Sequence, residues 1–112
     1  MTKFIGNETL PEVIKIILDE WIQTKDITTA MEINNGGCED FAKEVMSYFN
    51  GDCELICTES VSENFFAGSA DEPGHYWILY KDKHYDSECP DGVSDWMDLP
   101  IFLRYVECKH LI

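Results

Sequence analysis

Asn34-Asn35-Gly36-Gly37-Cys38-Glu39-Asp40-Phe41-Ala42 places a cysteine where a glycine loop gives way to an amphipathic helix. The macrodipole and the unpaired N–H groups of a first helical turn favour negative charge, so a thiol there ionises below its free pKa of about 8.5. Gly36 and Gly37, with the N–H of Cys38, are candidate oxyanion donors, because glycines let backbone amides converge; Asn34 or Asn35 can add a side-chain donor. The helix is expected from Cys38 to about Phe49, with Phe41, Ala42, Val45, Met46 and Phe49 on one face and Asn50-Gly51 as its stop. A lone cysteine is more often a small buried hydrophobe than a nucleophile, so its company decides the reading.

That company lies downstream. Cys53 to Thr58 reads as a strand, and residues 59 to 74 as a polar loop whose Phe65 and Phe66 can cover a cleft. Glu59, Glu63, Asp71 and Glu72 in that loop favour cationic substrates and an imidazolium nearby. His75 to Tyr80 is rich in aromatic and β-branched residues, and a tight turn at Lys81-Asp82-Lys83 leads into His84 to Glu88, which predicts a β-hairpin. A two-residue turn at Lys81-Asp82 sets His75 opposite Glu88 with Asp86 diagonal to it, whereas a longer turn changes both distances. The order Cys38, His75, then Asp86 or Glu88 supplies a thiol nucleophile, its base and the carboxylate that orients the base. His84 and His110 are competing bases without a comparable setting.

Upstream, Thr9-Leu10-Pro11-Glu12 is a capping box, and Val13, Ile14, Ile17, Leu18, Trp21 and Ile22 form the apolar stripe of a helix that runs to about Thr24. Residues 25 to 37 read as a connecting loop. Beyond the hairpin, Pro90-Asp91-Gly92 reads as a turn, Ser94 or Asp95 as the cap of a short turn through Trp96 and Met97, and Leu99 to Val106 as a last apolar segment.

The chain has 112 residues and is 45% hydrophobic, which suits one modest core and one α+β domain over 1–112: an N-terminal helix and loop over 1–37, then a helix, sheet and C-terminal segment over 38–112. Twenty-two acidic against eight basic side chains give a formal charge of −14. Such a field repels phosphates and anionic membrane, so direct nucleic-acid binding is disfavoured and cationic substrates or basic protein surfaces are favoured. The five cysteines are an odd number, and the chain shows no signal segment and no apolar run of about 20 residues, which points to a reduced, cytoplasmic setting with no membrane association.

Gly37-Cys38-Glu39-Asp40-Phe41-Ala42, then His75-Tyr76-Trp77, then Tyr85-Asp86, resembles the transglutaminase-like branch of the papain-like cysteine enzymes over residues 36 to 88. The resemblance implies a nucleophile helix packed on a small antiparallel sheet, with Cys38 as nucleophile, His75 as base and then acid, Asp86 as orienting carboxylate and Asp40 supporting the helix start. The interval between His75 and Asp86 is shorter than the family's, and Ser87-Glu88 stands where Pro-Thr is common, so Glu88 is the alternate acid. No glutamine occupies the oxyanion position of papain-type proteases.

The expected activity is thiol-dependent acyl or amide chemistry on a peptide or protein: a peptidase, amidase, deamidase or transglutaminase-like enzyme that needs no cofactor and no metal. Two rivals stand beside it. One is a non-catalytic acidic protein that caps a basic partner or mimics nucleic acid on a papain-like scaffold. The other is a metal site drawn from Cys53, Cys57, Cys89 or Cys108 with His84, for which no second pair at zinc-like spacing exists.

Overall fold

The structure, a computed structural model, describes residues 8–25, 27–34, 36–49, 51–58 and 74–110, with 107–110 described by backbone alone. Helix α1 spans Leu10–Thr24 and starts as expected: the Thr9 hydroxyl accepts from the Glu12 N–H, and the Glu12 carboxylate accepts from the Thr9 N–H at 2.8 Å. Its buried stripe is Leu10, Val13, Ile14, Ile17 and Trp21, while Ile22 faces solvent. The segment read as a loop contains a one-turn helix, α2, over Ala30–Ile33, capped by the Thr29 side chain; the turn forms because it buries Ile33 in the core. Helix α3 covers Cys38–Tyr48.

Four strands follow: β1 (Glu54–Cys57), β2 (Tyr76–Tyr80), β3 (Lys83–Asp86) and β4 (Cys89–Val93). They form one antiparallel sheet in the order β1-β2-β3-β4. The hairpin turn has two residues, Lys81 and Asp82, both at positive φ, and pairs Tyr80 with Lys83 and Ile78 with Tyr85. This geometry matches the twist of the flanking strands. Asp95 caps a 3₁₀ turn over Trp96–Asp98, and helix α4 runs over Pro100–His110.

Pro90-Asp91-Gly92, expected as a turn, lies within β4 instead. An edge strand tolerates a proline because its outward N–H has nothing to pair with. Register shifts between the His84 and Asp86 pairings, and Gly92 has φ +81 there. A Cβ on Gly92 lands 2.6 Å from the Tyr85 ring, so glycine serves both the backbone and the packing. Gly92→Ala is therefore expected to cost about 1–3 kcal/mol, read as a lowered urea midpoint at unchanged m-value.

Alternate residues of the sheet serve two cores. Ile78 and Tyr85 pack with α1, α2 and α3, while Trp77 packs with Leu99 and Phe102 from the C-terminal segment. α3 lies against β2, and α1 against α3 and β4. The α+β class is as expected, with a helix that begins at Cys38 packed on a small antiparallel sheet. No helix among the described residues is long and apolar enough to cross a membrane.

Candidate active site

The first turn of α3 and the first residue of β2 meet at Cys38. Gly37 is the N-cap and contributes no side-chain cap, so the opening amides of the helix have no side-chain acceptor of that kind. Burial alone raises the Cys38 thiol, but the His75 side chain, the Tyr76 N–H, the charge of His75 and the Glu39 N–H outweigh it and hold the thiol below its ordinary value. Two backbone amides from different elements thus favour the thiolate, in addition to the imidazole.

His75 is 1% exposed and sits immediately before β2. Its backbone is pinned on both sides: its N–H donates to the Thr58 hydroxyl at 2.9 Å, and its carbonyl accepts from the Thr58 N–H at 3.0 Å. The ring stacks on Trp77 with centroids 5.7 Å apart and meets the edge of Phe102 at 5.8 Å. Nε2 lies 2.9 Å from Oδ2 of Asp86. Nδ1 is buried without a hydrogen bond within ordinary limits, and the ring lies close enough to Cys38 to favour its thiolate. Thiol–imidazole contacts are often loose without substrate and tighten when one binds. Burial alone lowers the His75 pKa, but the hydrogen bond to Asp86, the nearby Cys38 thiol and the charges of both raise it above its ordinary value. Thiol and imidazole are both shifted toward the thiolate–imidazolium pair.

The hairpin register resolves the two candidate acids. With Lys81 and Asp82 alone in the turn, Asp86 reaches His75 diagonally. Glu88, nominally opposite, lies beyond the end of β3 and turns away. Its carboxylate takes both arms of the Arg104 guanidinium, at 2.7 and 2.8 Å, and the Asn34 amide at 2.8 Å. Its backbone N–H donates to Oδ1 of Asp86 at 2.9 Å, leaving Oδ2 for the imidazole. Burial raises the Glu88 carboxyl, and Arg104, Asn34 and the charge of His75 more than reverse this, so it stays ionised below the usual range.

The expected oxyanion donors are placed differently. The Gly37 N–H is used, donating to the Ile33 carbonyl at 2.8 Å, as the backbone closes a helical turn before α3. Gly36 is exposed at φ +132 and lets the chain swing into the helix. Asn34 is buried and faces Glu88, Asp86 and Ser87. Among the described residues the N–H groups of Gly36 and Cys38 make no hydrogen bond to a backbone carbonyl. Asn35 and the loop acids Glu59, Glu63, Asp71 and Glu72, with Phe65 and Phe66, lie outside the described residues. Asp40 is exposed in the first turn of α3.

Sequence reasoning missed Ser87, Arg104, Thr58 and Phe102. Arg104 carried a signal, being the single arginine in a chain with 22 acids. His84, the competing base, is occupied: its Nδ1 accepts from Trp77 Nε1 at 2.9 Å, and burial lowers its pKa. The side chains of His110 and Cys108 are outside the description. No group of three or more His, Cys, Asp or Glu among the described residues is arranged to hold a metal. No disulfide joins Cys38, Cys53, Cys57 or Cys89.

In comparisons with protein-family models, curated proteins and solved structures, no match to this chain was found.

Proposed function

We propose that the protein is a thiol-dependent acyl or amide-bond enzyme of papain-like or transglutaminase-like design, acting on a peptide or protein. The observation that carries this reading is the buried relay in which Asp86 holds Nε2 of His75 at 2.9 Å while the opposite ring nitrogen is left for a thiol at the start of α3. A structural histidine buried this deeply ordinarily has both nitrogens satisfied.

In this mechanism the Cys38 thiolate adds to the carbonyl carbon, and the carbonyl electron pair moves onto oxygen, facing the N–H of Cys38. The imidazolium Nδ1–H then protonates the leaving amine, alcohol or thiol as the carbonyl re-forms, giving a thioester on Sγ. Neutral His75 next takes a proton from water or an amine as it attacks that thioester, and Cys38 leaves as thiolate. Asp86 keeps the Nε2 proton in place throughout, so Nδ1 is the nitrogen that cycles. Hydrolysis, deamidation and transamidation share the first half and part at the second nucleophile. The charge of −14 favours cationic substrates over anionic ones.

The test is the rate of Cys38 alkylation by iodoacetamide against pH, located by mass spectrometry, in the native protein and in His75→Gln. The lowered thiol predicts a reactivity step below the ordinary thiol value of about 8.5, where the ion pair forms. The raised imidazole predicts a second change above its ordinary value of about 6.5, where the pair loses its remaining proton. His75→Gln should abolish the lower step and slow the reaction near pH 6.5 at least about tenfold. An ordinary thiol titration, indifferent to His75, overturns the proposal and leaves the acidic protein that binds a basic partner.

A further inference from the structure

Two parts of the relay come from distant stretches: Cys38 follows α2 and the glycine loop, and Asp86 ends β3. One buried side chain spans the gap. Asn34, 4% exposed, stands at the C-terminus of α2, four residues before the thiol. Its amide nitrogen donates to Oε1 of Glu88 at 2.8 Å and lies 3.5 Å from Oδ2 of Asp86, the same oxygen that holds His75. Its carbonyl oxygen faces the Ser87 hydroxyl at 3.2 Å, and that hydroxyl also lies 2.9 Å from the Ala30 carbonyl. The turn carrying residues 86–88 is thereby fastened to both ends of α2. On its far side the same turn is held by the Arg104 fork from α4.

We propose that Asn34 is a positioning residue that braces the acid of the site: its amide ties the segment leading into Cys38 to the β3–β4 turn, and so keeps the Asp86 carboxylate on His75. The assignment rests on the thiol-enzyme reading for its purpose, though the bracing itself can be measured without it. Asparagine suits the task because one amide offers two N–H donors to two carboxylates and an oxygen to a hydroxyl. An aspartate there brings a third negative charge to Asp86 and Glu88, and alanine leaves the two carboxylates with no shared donor. Only Oδ1 of Asp86 is fixed by its own turn, through the Glu88 N–H. Without Asn34, Oδ2 keeps the imidazole as its one strong partner, and the turn is left with only the Ser87–Ala30 link to α2.

The decisive experiment is an NMR titration of the His75 ring nitrogens together with the alkylation profile of Cys38, in the native protein, Asn34→Ala, Ser87→Ala and Glu88→Gln. The charged groups that bear on the ring are Asp86, Cys38 and Glu88, with Arg104 neutralising Glu88. Asn34→Ala is expected to lower the His75 midpoint by about one unit and to slow Cys38 alkylation near pH 6.5 about tenfold. Ser87→Ala, which releases the amide's orientation, should move both in the same direction by less, and it serves as the readout if Asn34→Ala does not fold. Glu88→Gln keeps an acceptor for the Asn34 amide and should leave most of the shift intact. A lowered melting temperature with both titrations unmoved makes Asn34 merely structural and overturns the inference. An equal loss in Glu88→Gln assigns the effect to the Glu88 charge and overturns it too. If native Cys38 shows ordinary reactivity the enzyme reading fails alone, because the His75 midpoint still reports whether Asn34 holds Asp86.

Discussion

Asp86→Asn is expected to remove thiol reactivity near neutral pH almost as completely as deleting the nucleophile, while leaving the fold in place. The residue is 4% exposed and the replacement is nearly isosteric, so packing survives. What changes is the direction of a hydrogen bond. The Glu88 N–H requires an oxygen at the position of Oδ1, where it donates at 2.9 Å. The new amide must therefore turn its NH₂ toward His75, where Oδ2 stood at 2.9 Å from Nε2. Nε2 then has to accept, the ring proton moves to Nδ1, and the nitrogen facing Cys38 can no longer take a proton. Loss of the negative charge also removes the Asp86 share of the interactions that raise His75, so the imidazolium is weakened at the same time. Turnover of an activated acyl substrate should fall on the order of 10³–10⁴-fold, the scale expected for a histidine locked in the wrong tautomer. The measurement is burst kinetics with an activated ester, beside the iodoacetamide profile at the same pH. A loss of less than about tenfold means that Asp86 does not set the tautomer, and the relay as described is wrong.

How far such a site can be read before folding depends on whether its signals are local. The Thr9–Glu12 box and the Asp95 cap are formed by neighbours in sequence, and both are legible for that reason. Cys38 and His75 are legible because each sits at an element boundary marked by glycine. The choice between Asp86 and Glu88 depends on a single residue of hairpin register, and Lys81-Asp82 carries no glycine to mark a two-residue turn with both residues at positive φ. β4 is hidden by turn-forming composition; pairing with β3 makes it a strand, and pairing is a property of two segments. Asn34 was legible as a polar residue near the thiol, yet its partners lie more than fifty positions away. The chemistry of the donor set was visible, and the direction in which Asn34 points was not.

Trp77→Ala is expected to be the most destabilising single change on the sheet, and its cost follows from the alternation that splits the core. Trp77 has no exposed surface, and its ring touches His75, Trp96 and Phe102, at centroid distances of 5.7, 6.0 and 5.4 Å. The second core has only Trp77, Leu99 and Phe102 fully buried among the described residues, so no neighbour can fill the space left by an indole. Truncation of such a ring costs about 3–5 kcal/mol, a large part of the roughly 5–15 kcal/mol that holds a domain of this size together. Urea unfolding should show the midpoint falling steeply, with Trp77→Ala substantially unfolded at 37 °C. Trp77→Phe separates the components: it restores most of the apolar volume but loses the 2.9 Å bond from Nε1 to His84, and should cost only about 1–2 kcal/mol relative to native. Since the same ring forms the floor beneath His75, Trp77→Phe should also keep Cys38 reactive near neutral pH, provided stacking alone supports the imidazole. If Trp77→Phe keeps its stability yet loses the reactive thiol, the indole supports His75 through its bond to His84 as well. If Trp77→Ala costs under about 1 kcal/mol, the C-terminal segment does not form a core with the sheet, and the wall that shields the relay from water must be sought elsewhere.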